Sequence, residues 1–125
     1  MTPWLFLAIA ASGGLGAALR FLIDGLIRTR TRGSYPFGTM IINVTGSLLL
    51  GLVTGLAVTT VLPEDIRLLV GTGLLGGYTT FSTASFETIR LAQDRRTIAA
   101  LTNGIGTLIL SVGAASVGYI IAGLL

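Results

Sequence analysis

Apolar residues fill four long stretches of this chain, and charged residues fall only at or between their ends. Met1 to Leu19 carries no charge; Arg20, Asp24, Arg28, Arg30 and Arg32 follow. Gly33 to Pro63 is uncharged, and Glu64, Asp65 and Arg67 form the next polar spot. Leu68 to Phe86 is uncharged again, before Glu87, Arg90, Asp94, Arg95 and Arg96, and Thr97 to Leu125 has no charge at all. A helix needs about 20 mostly apolar residues to cross a bilayer. The pattern predicts four such helices, roughly 3–27, 37–62, 66–92 and 97–124, in one all-α transmembrane domain spanning 1–125. A soluble bundle would show a charged face on each helix, and these segments have none. The first segment lacks the basic start of a signal peptide, so it is read as a retained helix. Pro63 is expected to close the second helix, with Glu64 and Asp65 opening the third, where the helix dipole favours acid.

Composition sharpens this. Of the 125 residues 52% are hydrophobic and 10% charged, against about a quarter charged in soluble domains. There is no histidine and no cysteine. That removes His or Cys metal sites, disulfides, and nucleophiles activated by histidine. With no acid pair close in sequence either, the chain is not read as an enzyme. The net charge of +3 comes from eight arginines scattered through an apolar chain, which is not a nucleic-acid footprint.

Eighteen glycines are about twice the usual share, and most lie inside the spans. Lipid offers no hydrophobic push between helices, so small residues that let backbones approach are what tight packing needs. Gly51 and Gly55 form one such pair. The polar residues inside the spans are more specific. Thr39, Asn43 and Ser47 share one face of the second helix, and Asn103, Thr107 and Ser111 share one face of the fourth. Ser82 and Ser85 lie three apart on the third. Such stripes face protein or water rather than hydrocarbon, as interhelical hydrogen bonds or as a path for a solute. Gly76-Gly77-Tyr78-Thr79-Thr80 allows either a broken third helix or a plain helix with a packing notch; broken backbone at that depth would free carbonyls for a cation. At the helix ends, Arg20 with Asp24, and Glu87 with Arg90, are at pairing distance along a helix.

Three runs resemble the Fluc/CrcB fluoride channels. Gly73-Leu74-Leu75-Gly76-Gly77-Tyr78-Thr79-Thr80-Phe81-Ser82-Thr83 is similar to their third-helix signature. Gly13-Gly14-Leu15-Gly16-Ala17-Ala18-Leu19-Arg20-Phe21 and Pro36-Phe37-Gly38-Thr39-Met40-Ile41-Ile42-Asn43-Val44-Thr45-Gly46 resemble their first- and second-helix runs. The resemblance implies an antiparallel, dual-topology-type dimer in a prokaryotic inner membrane. Two narrow pores at its interface would give passive, selective fluoride export. It implies a structural sodium ion at the dimer axis, held by backbone carbonyls near Gly76 and Thr79. Asn43 would donate to fluoride, Phe81 would present its ring edge, Ser82, Thr83 and Ser85 would continue a polar track, and Arg20 would sit at the vestibule.

One position departs from that pattern. The family's second phenylalanine, three residues after the first, is Ala84 here, and Phe86 lies about 200° further around the helix. A homodimer would lack that ring in both pores. Arg28, Arg30, Arg32, Arg90, Arg95 and Arg96 fall in the loops of one side, with Arg67 and the N-terminus on the other. The positive-inside rule then places both termini outside. The partner is therefore either a second copy inserted against the rule or an oppositely oriented paralogue that supplies the ring. Two other functions fit four short spans. A proton-coupled multidrug exporter needs a membrane-embedded acid, and the first helix has none before Asp24. A non-conducting assembly subunit leaves Asn43 and the Thr79–Thr83 run without a purpose.

Overall fold

The computed structural model describes residues 1–59 and 61–125, and these form helices joined by short turns. Helix α1 (Pro3–Arg30) starts where Thr2 caps it, its side chain accepting from the Leu5 amide at 3.2 Å, with proline in the first turn. It ends at Thr31, whose amide and hydroxyl both donate to the Ile27 carbonyl. Gly33 takes a positive φ of 88° in the turn that follows. Helix α2 (Phe37–Val58) stops earlier than the predicted 37–62. Pro63 does not close it. Instead Pro63 caps the next helix, with Glu64 and Asp65 in the first turn. Thr60, which the predicted span included, lies outside the described residues.

Helix α3 (residues 64–78) begins with Glu64–Arg67, loosens into a π-helical stretch over Leu68–Leu75, and finishes with the turn Gly76–Tyr78. Thr79 and Thr80 then leave helical geometry, at ψ 158° and 122°. Helix α4 (Phe81–Gln93) follows, capped by the Thr80 hydroxyl, which accepts from the Thr83 amide at 3.2 Å. Arg95 turns the chain in the left-handed region, at φ 59°. The Arg96 amide reaches back to the Leu91 carbonyl at 2.9 Å, closing the helix end. Helix α5 (Thr97–Gly123) contains a π-helical turn at Thr102–Gly106.

Three of these helices, α1, α2 and α5, are each long and apolar enough to cross a membrane. Large apolar side chains face outward, among them Trp4, Phe21, Ile98 and Ile109, while the buried apolar set is small: Ile42, Leu75, Leu91, Ala100 and Ala122. That is the inverse of a soluble bundle, and it suits hydrocarbon as the surrounding medium.

Two seams hold the helices together. Helix α2 runs along α5 in the most extensive contact of the molecule. There, a Cβ on Gly51 would fall on the Ala115 carbonyl oxygen, and one on Gly118 would fall on that of Leu48. Helix α1 lies along α3 in the same manner: Gly16 meets the Leu74 carbonyl, and Gly77 meets that of Gly13. The Ser12 hydroxyl donates to the Leu69 carbonyl at 2.7 Å, crossing this second seam. Backbone contact of this kind gains dispersion energy that larger side chains would forbid. Gly14 and Gly113 meet nothing nearby and take no part in either seam.

Candidate functional site

Asn43 on α2 reaches the Thr79–Thr80 interruption directly. Its carboxamide oxygen accepts from the Thr80 amide at 2.8 Å, and its nitrogen donates to the Thr80 carbonyl at 2.8 Å. One side chain thus satisfies both backbone groups of a residue that helix geometry has abandoned, as buried backbone requires. The second N–H of Asn43 remains for another acceptor.

The same contact releases carbonyls. In a continuous helix the Thr80 amide would donate to Gly76; here it donates to Asn43. The Thr83 amide would donate to Thr79; here it donates to the Thr80 hydroxyl. The Gly76 and Thr79 carbonyls therefore lose their helical donors to side chains. Such oxygens are the hard, neutral ligands that suit an alkali cation.

A groove of about 490 Å³ runs from this point between α4 and α5. Asn43 and Ser47 of α2, Phe81 and Ser85 of α4, and Asn103, Thr107 and Ser111 of α5 line it. It thus brings Asn43 and Ser47 of the first polar stripe, without Thr39, into one concavity with the whole of the second, and none of its described lining residues is charged. The Thr107 and Ser111 hydroxyls are buried without a hydrogen-bond partner. Each is an unused donor beside the groove, which marks it as a place for an acceptor. The Phe81 ring is 88% exposed and stands out from α4. Ala84 lines the groove a turn below it, with no side chain beyond its methyl.

The other predicted residues divide between two places. Ser82 stays beside the interruption, its hydroxyl 3.3 Å from that of Thr80. Thr83 lines a second cavity of about 540 Å³ at the end of the bundle that carries most of the arginines. Asp24, Arg28, Glu87 and Arg90 open onto it. Arg20 lies on α1 away from both cavities. The expected Arg20–Asp24 pair does not form: Asp24 instead pairs with Arg28 at 2.9 Å. The reason is directional, since an acid placed four residues before a base suits the helix dipole better than the reverse order. Glu87 likewise bypasses Arg90. One of its oxygens accepts from the Thr39 hydroxyl at 2.9 Å and lies 3.7 Å from an Arg28 nitrogen. The periodicity of Thr39 was readable in sequence, but a partner on another helix was not.

A family model described as CrcB-like protein, Camphor Resistance (CrcB), matches residues 7–119. The fluoride-specific ion channel FluC 1 of Leifsonia xyli subsp. xyli is 54% identical over 124 residues, covering 99% of this chain and 90% of the relative. FluC 2 of Mycobacterium tuberculosis (strain H37Rv) is 43% identical over 122 residues, covering 98% and 94%. FluC of Syntrophotalea carbinolica is 43% identical over 115 residues, covering 91% and 94%. A match that runs through all five helices, with relatives of nearly equal length, leaves one assignment: the chain belongs to the CrcB-like family, whose relatives here are named as ion channels and not as enzymes.

Proposed function

We propose that this chain is a fluoride-selective channel subunit that lets fluoride leave the cytoplasm passively through a prokaryotic inner membrane. The observation that carries the reading is the uncharged donor groove, with Asn43 and Phe81 at its head and two unpartnered hydroxyls on α5. Fluoride is small and strongly hydrated. A path for it must replace water with donors, yet a fixed cation would hold it too tightly for conduction. Neutral amide and hydroxyl donors meet both demands, and the ring edge of Phe81 adds a weakly positive surface. Helices α3 and α4, with Thr79 and Thr80 between them, form the remaining membrane crossing. Ser85 extends the donor track within the groove, Ser82 and Thr83 carry it past the interruption toward the second cavity, and Arg20, which lines neither cavity, draws anions toward the membrane surface by its field.

The groove is open along one side in the single chain, and polar walls facing hydrocarbon are costly. A second subunit of opposite orientation covers it and completes two pores. A sodium ion on the dimer axis, held by the Gly76 and Thr79 carbonyls, would supply positive charge that binds the two interruptions together. The six arginines at one end favour a single orientation of this chain. They therefore favour a paralogue of opposite charge bias over a second copy, and Ala84 leaves room for a ring from that partner.

Efflux from liposomes containing the purified chain tests this, with chloride as the comparison ion. Fluoride efflux well above chloride efflux is expected from a conducting dimer. Equal leakage of both ions, from the chain alone and from the chain co-expressed with a copy whose loop arginines have been moved to the opposite side, would sink the channel reading.

A further inference from the structure

We propose that Asn103 is a positioning residue, which sets the rotation of α4 and so aims Phe81 and Ser85 into the groove; this rests on the channel reading above. Asn103 is 1% exposed and is one of the two largest fully buried side chains. It sits in the π-helical turn Thr102–Gly106, where α5 gains an extra residue per turn and touches α4. Its amide nitrogen donates to the Thr88 hydroxyl at 2.8 Å and lies 3.4 Å from the Ala84 carbonyl. The Thr88 hydroxyl in turn donates to the Ala84 carbonyl at 2.7 Å. The protons therefore run in one direction, from Asn103 to Thr88 to Ala84. A Cβ on Gly104 would come within 3.2 Å of the Thr88 methyl, so the backbone of α5 is close as well.

Helix α4 is consequently gripped at two heights. Asn43 holds its entry at Thr80, and Asn103 holds it at Ala84 and Thr88. Phe81 and Ser85 share a face centred about 60° around the helix from that of Ala84 and Thr88. A turn of α4 about its axis would carry both out of the groove. Phe81 has little packing of its own to resist this, being 88% exposed. With its nitrogen committed to α4, Asn103 acts on the ion path through the helix it holds.

The test uses the full chain in liposomes, with Asn103→Leu and Thr88→Val made singly and together. Because the chain has no cysteine, a Ser85→Cys background adds a second readout: the rate of modification by a water-soluble thiol reagent. Asn103→Leu is expected to lower fluoride efflux about tenfold, the scale of one hydrogen bond. It should also change the labelling rate at position 85. Thr88→Val should reproduce both effects, Thr88→Ser should restore them, and the double variant should be no worse than either single one. If Thr88→Val leaves efflux and labelling untouched, the proposal is overturned, whatever Asn103→Leu does. Absence of fluoride efflux from the unsubstituted chain, both alone and co-expressed with the copy of opposite charge bias, would count against the channel reading instead, and the labelling rates would still decide whether Asn103 sets α4.

Discussion

The α2–α5 seam and the seat of α4 hold helices together by opposite means. Along the seam, glycines bring backbones into contact, and little but dispersion joins them. At the seat of α4, hydrogen bonds from Asn43, Thr80 and Asn103 fix a helix that has few buried apolar residues of its own. The first arrangement gives stiffness and no chemistry, because what meets at Gly51 and Gly118 is backbone, with no side-chain donor between. The second leaves donors over, and those donors line the groove. A membrane protein of this size keeps its frame dry so that a single segment can be polar.

Substitutions sharpen that contrast. Gly51→Leu should have the largest effect, since its side chain meets the Ala115 carbonyl rather than another flexible group. The cost should exceed about 3 kcal/mol, at the upper end for overpacking, and size-exclusion chromatography should show loss of folded protein. Gly113→Ala, in open space on the same helix as Gly118, should be tolerated. Asn43→Leu should come next. It removes both bonds to Thr80, and each such bond in a membrane is worth about 0.6–1.7 kcal/mol. Thermal unfolding should show a modest loss of stability, while fluoride efflux should fall about a hundredfold, in keeping with misplacement of the whole segment. Phe81→Ala should have the smallest effect on folding, within about 0.5 kcal/mol, as expected for an exposed side chain. Its fluoride efflux should nevertheless fall measurably. If Phe81→Ala destabilised the protein more than Asn43→Leu, the division between frame and groove would fail.

The ordering of these effects follows what the sequence made legible. Spacing placed α1, α2 and α5, the three helices long and apolar enough to cross a membrane, because periodicity is a local property that hydrocarbon enforces strictly. Helix ends were less legible. Pro63 reads as a stop for α2, yet it opens α3, since proline suits either role and the turn between them decides. Interactions across helices were not legible. Asp24 chose Arg28 over Arg20 for a reason that sequence order contains, but Glu87 took Thr39, 48 positions away. The link from Asn103 to Thr88 was hidden for the same reason, compounded by a π-helical turn that no apolar pattern announces. Roles for Phe81 and Asn43 were reached through resemblance, because a ring and an amide at helical spacing are equally consistent with ordinary packing.

The bond between Asn43 and Thr80 also dictates an order of assembly. Residues 64–93 on their own have every reason to remain one continuous helix, since an unpaired amide and carbonyl at Thr80 would cost several kcal/mol each in hydrocarbon. Only the docked carboxamide of α2 makes the interruption affordable. The interruption at Thr79–Thr80 is therefore a late product of maturation, created when the third segment meets the second, and a chain arrested before that encounter would be inserted and continuously helical there.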